Sequence, residues 1–140
     1  NYGAAKMALV GLMQTLSLEG ARNNIRVNCL APTAATRMTE DIMPEAVLAA
    51  LRPEMVSPAV LALVGEEAPT RAILCAGAGS FERAYVTLTK GTFVGSGPET
   101  PDRVVALFDK ISDRQGDTVP ENAAAQGAIE VGNFQIGKPR

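Results

Sequence analysis

Tyr2 and Lys6 stand four residues apart in the opening run Tyr2-Gly3-Ala4-Ala5-Lys6. That spacing stacks a phenol and an ammonium on one face of an α-helix. A cation beside a tyrosine hydroxyl favours the phenolate, so a phenol with an ordinary pKa of about 10 can exchange protons nearer neutrality. A shift of about three units needs about 4 kcal/mol. One unit charge about 4 Å away supplies a similar amount at an effective dielectric near ~20. The pair is therefore sufficient as a proton donor and acceptor. Taken alone, the same spacing also describes a surface helix turn with a snorkelling lysine.

The elements that must position this pair can be read downstream. Met7, Leu9, Val10, Leu12, Met13, Leu16 and Leu18 make residues 2–21 apolar nearly all round, which predicts a helix buried on more than one face. Gly3, Ala4, Ala5, Ala8 and Gly11 leave room for close approach along its first turns. The helix ends at Arg22-Asn23-Asn24, and a strand over 25–31 leads into Pro32. Val27-Asn28-Cys29-Leu30 and Ala72-Ile73-Leu74-Cys75 read as strands buried on both faces of a parallel sheet. Between them, one helix begins near Pro44 and stops before Pro53. A second has Ser57 as N-cap and Pro58 at the first helical position, and ends at Gly65. Residues 33–56 would form a flap over a substrate.

Further along, Tyr85-Val86-Thr87-Leu88-Thr89 alternates like an added strand, and Gly91 to Pro98 is a loop. Thr100-Pro101 opens a last helix over 101–112, with Val104, Val105, Leu107, Phe108 and Ile111 as its apolar stripe. Residues 115–140 show little periodicity and read as a loose tail or linker beside a domain over 1–114.

Composition narrows the function classes. A net charge of -2 with no basic run argues against nucleic acid as a partner. Gln14, Thr15, Ser17 and Glu19 interrupt the best apolar stretch, so no membrane span is expected. The chain holds no histidine, which excludes a Ser-His-Asp hydrolase and a histidine base within it. Cys29 and Cys75 lie on separate predicted strands without metal-ligand spacing, so no metal is expected. They read as small buried hydrophobes in a reducing compartment. Gly77-Ala78-Gly79 and Gly95-Ser96-Gly97 read as turns, since neither joins a first strand to a helix as a phosphate loop does. The first residue is Asn1, and the chain reads as part of something longer.

The order Tyr2-Gly3-Ala4-Ala5-Lys6, helix, then Ile25-Arg26-Val27-Asn28 and Ala31-Pro32 resembles the C-terminal half of short-chain dehydrogenases/reductases. Ala31-Pro32-Thr33-Ala34-Ala35-Thr36-Arg37-Met38-Thr39 extends the likeness toward one branch, as do Ile42-Met43-Pro44-Glu45, 51–58 and 76–79. That branch comprises the (3R)-hydroxyacyl-CoA dehydrogenase domains of peroxisomal multifunctional enzymes type 2 and their bacterial relatives. The resemblance implies an α/β fold, the C-terminal part of a Rossmann-type doubly wound parallel sheet whose N-terminal half is missing from the chain. It implies hydride transfer between NAD, or NADP, and a secondary alcohol or ketone, with a (3R)-3-hydroxyacyl thioester as the favoured substrate. Tyr2 would be the catalytic acid/base, and Lys6 would support its phenolate and hold the nicotinamide ribose. Pro32, Thr33, Ala34, Ala35 and Thr36 would line the nicotinamide. Here the family's common Pro-Gly is Pro32-Thr33, and the loop to Met38 is a residue shorter than in the acyl-carrier-protein reductases. Read only as a turn at a strand's C-terminal edge, the loop still lies where open α/β sheets bind ligands. Arg37 could meet a substrate or cofactor phosphate, but reads more readily as a solvated flap arginine.

The family's helix 2–21 implies a homodimer, and the branch implies a cytoplasmic protein, or a peroxisomal one in a eukaryote. The family's Gly-rich turn, catalytic serine and active-site asparagine would all precede Tyr2, so these 140 residues alone are expected to be inactive. Two other readings stand beside this one. One is a 3-oxoacyl-carrier-protein reductase or another alcohol or steroid dehydrogenase. The other is a non-catalytic oligomerisation module.

Overall fold

The computed structural model describes residues 1–37 and 39–137. It divides into two units, residues 1–85 and 86–140.

In the first unit, α1 (Tyr2–Gly20) runs into a single 3-10 turn, Ala21–Asn23. Asn24 then adopts a left-handed conformation with φ 55, and Ile25 N–H closes the end on the Gly20 carbonyl at 3.0 Å. Asparagine tolerates that conformation better than a branched residue would, so the chain can turn sharply toward the sheet. Strand β1 (Cys29–Pro32) follows, then α2 (Glu45–Ala50), a 3-10 turn at Pro53–Met55, α3 (Ser57–Val64) and β2 (Ile73–Gly77). β1 and β2 are parallel, with Cys29 opposite Ile73 and Pro32 opposite Ala76, so this stretch is a β-α-β crossover.

The sheet departs from the expected all-parallel form. β3 (Ser80–Ala84) pairs antiparallel with β2, giving a three-stranded mixed sheet in the order β1-β2-β3. A two-residue hairpin causes this. Ala78 and Gly79 both have positive φ (50 and 75), the hand that matches strand twist, so pairing restarts at once with Gly77 opposite Ser80. The added strand therefore lies at 80–84 and not at 85–89. Ser57 is the first helical residue of α3 and makes no capping bond; the preceding 3-10 turn places Val56 at the cap position.

Val56, Ala59 and Ala76 form the buried centre of this unit, with Leu30, Ala34 and Leu74 packed against it. It lies among β1, β2, the start of α3 and the loop after β1. The expectation that α1 is buried on several faces is not met. It buries one stripe, Met13, Ser17 and Gly20, and leaves Met7, Leu9, Leu12, Leu16 and Leu18 exposed. The three short strands offer surface for one stripe only. For the same reason Cys29 and Cys75 are half-buried, not fully buried.

In the second unit, Leu88 and Thr118 form an antiparallel bridge, their backbones exchanging hydrogen bonds of 2.8 and 2.9 Å. The expected helix over 101–112 is two shorter ones, α4 (Thr100–Ala106) and α5 (Phe108–Ile111), broken where Leu107 leaves helical geometry. Residues 115–140, expected as a loose tail, contain α6 (Ala125–Gly137). Asn133 Nδ2 donates to the Lys90 carbonyl at 2.8 Å, and Phe134 meets Phe93 edge-on with centroids 5.7 Å apart.

Candidate active site

Tyr2 occupies the first turn of α1 and is 72% exposed. Lys6, one turn on, carries its Nζ over the Tyr2 ring, 5.3 Å from the centroid. Both line a groove of about 700 Å³ between α1 and β1. Leu9, Val10, Met13 and Leu16 form its helical wall, and Val27 to Thr33 with Ile73 and Cys75 form its sheet wall. The structure thus brings Tyr2, Lys6, Pro32 and Thr33 to one cleft, a phenol and an ammonium beside the loop at a strand's C-terminal end.

The remaining loop residues are placed differently. Ala34 packs onto the Val56–Ala59–Ala76 core. Ala35 N–H is committed to the Leu51 carbonyl at 2.6 Å. Thr36 closes a small turn: its N–H donates to Thr39 Oγ1 at 2.8 Å, and its carbonyl accepts from Thr39 Oγ1 and from the Thr39 and Glu40 N–H groups. None of these three lines the groove. Arg37 is exposed, and Met38 lies outside the described residues.

Two side chains tie the start of β1 to the connection between α3 and β2, and neither role is legible from residue type alone. The Asn28 side chain donates through Nδ2 to the carbonyls of Leu63 (3.2 Å) and Pro69 (2.7 Å), and Oδ1 accepts from Ala72 N–H (2.9 Å). One amide thereby joins the start of β1, the end of α3 and the entry to β2. Arg26 Nη1 donates to the carbonyls of Glu66 and Ala68. The signal for both was the run Ile25-Arg26-Val27-Asn28, in which a polar residue alternates with apolar ones.

The Cys29 thiol donates weakly to the Leu9 carbonyl at 3.7 Å, and burial pushes its pKa up. Disfavouring the thiolate in this way suits a packing role at the groove wall. In the second unit a hollow of about 420 Å³ lies between residues 88–95 and α6. Among the described residues no cluster of three or more His, Cys, Asp or Glu can hold a metal. No helix among them is long and apolar enough to cross a membrane.

The stretch that carries this phenol and lysine, with the crossover and loop beside them, is similar in sequence to short-chain dehydrogenases/reductases. Residues 1–46 match the family described as short chain dehydrogenase. A short-chain type dehydrogenase/reductase of Mycobacterium tuberculosis is 46% identical over 117 residues, covering 83% of this chain and 41% of that protein. Peroxisomal multifunctional enzyme type 2 of Mus musculus is 38% identical over 136 residues, 94% of this chain and 18% of its own length. The full-length peroxisomal multifunctional enzyme type 2 of Drosophila melanogaster superposes with a TM-score of 0.78 at 27% identity. That match covers 97% of this chain and 25% of the fly chain. The chain thus spans about two fifths or less of the length of these relatives.

Proposed function

We propose that this chain supplies the acid/base part of an NAD(P)-dependent oxidoreductase that interconverts a secondary alcohol and a ketone. The observation that carries the reading is the placement of Tyr2 and Lys6 on one helix face, in the groove that Pro32 and Thr33 also line. The donor set suits the nicotinamide end of a dinucleotide: a hydroxyl for the substrate oxygen, an ammonium for ribose hydroxyls, and a loop wall for the ring. A nicotinamide held there would supply or accept the hydride. Tyr2 takes the alcohol proton during oxidation and returns it to the carbonyl oxygen during reduction. Lys6 keeps a positive charge beside the phenol as that proton moves.

The substrate we favour is a (3R)-3-hydroxyacyl-CoA. Its support is the likeness to peroxisomal multifunctional enzymes type 2, together with the run Ala31 to Thr39. The intact protein, given NAD and (3R)-3-hydroxybutyryl-CoA, is expected to form NADH. NADPH-dependent reduction of a 3-oxoacyl-carrier protein in its place would move the substrate within the family. No turnover with either would overturn the reading. Met7 and Leu18, exposed on α1 and not part of the groove lining, support a second part of the proposal, pairing of α1 with the same helix of a second copy. Sedimentation of the intact protein as a monomer at micromolar concentration would overturn that part.

A further inference from the structure

We propose that Gly77 is a positioning residue for the groove loop: its missing side chain lets Thr33 seat against the end of β2, which fixes Pro32 and Thr33 in the groove wall. Gly77 is the last residue of β2 and precedes the Ala78-Gly79 hairpin turn. Its φ lies outside the left-handed region that Ala78 and Gly79 occupy, so the turn itself does not call for glycine there. The demand comes from space. A methyl group on Gly77 would lie 2.9 Å from the Thr33 carbonyl oxygen, 3.0 Å from Thr33 Cβ and 3.7 Å from Leu51 Cδ2. The first of these contacts is with backbone, which cannot rotate away as a side-chain tip can.

The loop is tied down on both sides of that contact. Thr33 N–H donates to the Ala76 carbonyl at 2.8 Å, and Ala35 N–H to the Leu51 carbonyl at 2.6 Å. Any side chain at position 77 would therefore push Thr33 off β2 by several tenths of an ångström, work against both hydrogen bonds and carry Pro32 with it. Pro32 and Thr33 share the groove with Tyr2 and Lys6, so the shift reaches the cofactor wall. The consequence for binding rests on the dinucleotide reading given above; the seating of Thr33 does not.

The test is Gly77→Ala in the intact protein, with Gly79→Ala as a control. Gly79 has φ 75, so alanine there strains the hairpin while meeting only Met55 Sδ at 3.8 Å and leaving Thr33 unpushed. A shift of a few tenths of an ångström in the wall that meets the nicotinamide should weaken NADH or NADPH binding about tenfold, the order of one lost hydrogen bond. Fluorescence titration of the nucleotide reads this. Hydrogen exchange at the Thr33 and Ala35 amides should quicken about tenfold or more in Gly77→Ala, and in Gly79→Ala neither quantity should move. Adding Thr33→Gly to Gly77→Ala removes the Cβ contact and gives the backbone at position 33 the freedom to swing its carbonyl off the new methyl, and should restore part of the affinity and of any lost folding yield. Unchanged exchange, or faster exchange with unchanged affinity, would overturn the proposal. So would Gly79→Ala reproducing both effects, or a Gly77→Ala protein that fails to fold and is not rescued by Thr33→Gly. If the intact protein binds no dinucleotide but Gly77→Ala still speeds exchange at Thr33 and Ala35, the oxidoreductase reading fails and the seating role stands.

Discussion

The Lys6 ammonium lies over the face of the Tyr2 ring, 5.3 Å from its centroid, on the first two turns of α1. Contacts of this kind contribute about 0.5–1 kcal/mol at exposed sites. That is enough to bias the lysine toward the phenol without help from the rest of the fold. The positive charge that the proposed proton transfer requires is therefore held by the same helix that carries the acid/base group.

Tyr2→Phe should accordingly remove the proton that the alcohol oxygen must lose or gain while leaving cofactor binding nearly intact. Positioned acid–base catalysis is worth about 10²–10⁴-fold, so kcat of the intact protein should fall at least about 100-fold. Lys6→Ala should also slow turnover and additionally weaken cofactor binding. Lys6→Arg should rescue only partly, because a planar guanidinium does not reproduce a compact ammonium. The double variant should lose far less than the product of the single losses, since both residues serve one proton transfer. Steady-state kinetics with a (3R)-3-hydroxyacyl-CoA reads all four, and a Tyr2→Phe protein with most of its turnover would reject the mechanism.

Asn28→Ala should be among the more damaging changes in the sheet wall of the groove, because its amide also ties β1 to α3 and β2. It leaves Ala72 N–H and the Leu63 and Pro69 carbonyls without their side-chain partner. Net hydrogen-bond contributions of about 1 kcal/mol each, plus desolvation of the orphaned groups, give a loss of about 2–4 kcal/mol. Asn28→Asp should be no milder, because it turns a carboxylate toward two carbonyl oxygens. Urea unfolding of the intact protein measures both, and a loss under about 0.5 kcal/mol for Asn28→Ala would refute the clamp.

Legibility in the sequence followed the range of the interactions. The helix over 2–21 and the strands on either side of the crossover were readable, because apolar runs and the stops at Asn23-Asn24, Pro32 and Gly65 are local signals. The position of β3 was not, since its turn places Ala78 at positive φ, where a glycine or asparagine would have advertised a hairpin. Helix α6 was missed for a related reason. Gly127, Gly132 and Gly137 dilute its pattern, and the contacts that hold it, Asn133 with Lys90 and Phe134 with Phe93, are with residues about forty positions away. At the site, spacing alone puts Tyr2 and Lys6 together. Gly77 and Asn28 act through neighbours that only the folded chain reveals.

Asp117 should make the second unit sensitive to acid. Hydrogen bonds from Thr87 and then Arg114 hold its carboxyl below the ordinary carboxylate range, and Arg114 also pairs with it at 3.2 Å. With the folded value depressed, the unfolded chain binds more protons in that interval and stability rises with pH. The contribution is therefore present above the unfolded value of about 3.9 and is lost as pH falls through the folded one. The neighbouring Leu88–Thr118 bridge should loosen only below about pH 4. Asp117→Asn should abolish that dependence. NMR titration of the Leu88 and Thr118 amides follows it, and a transition near neutrality would contradict the assignment.

Cys29 should behave in the opposite sense. Burial raises its thiol pKa, so the folded chain keeps a proton that the unfolded chain releases first. Stability then falls as pH rises: the contribution is full below the unfolded value of about 8.5 and is lost as pH climbs through the folded one. The thiolate is the nucleophile, so alkylation of native Cys29 by iodoacetamide at pH 8 should be slower than that of the same residue in urea. Cys29→Ala should flatten the alkaline limb of the stability curve without removing the groove, whose wall it shares with Leu9, Met13 and Leu30. Mass spectrometry of the alkylated peptide, read against unfolding midpoints between about pH 7 and pH 10, separates the two effects. Labelling of native Cys29 as fast as in the unfolded chain would show that the groove wall is open to solvent in the intact protein.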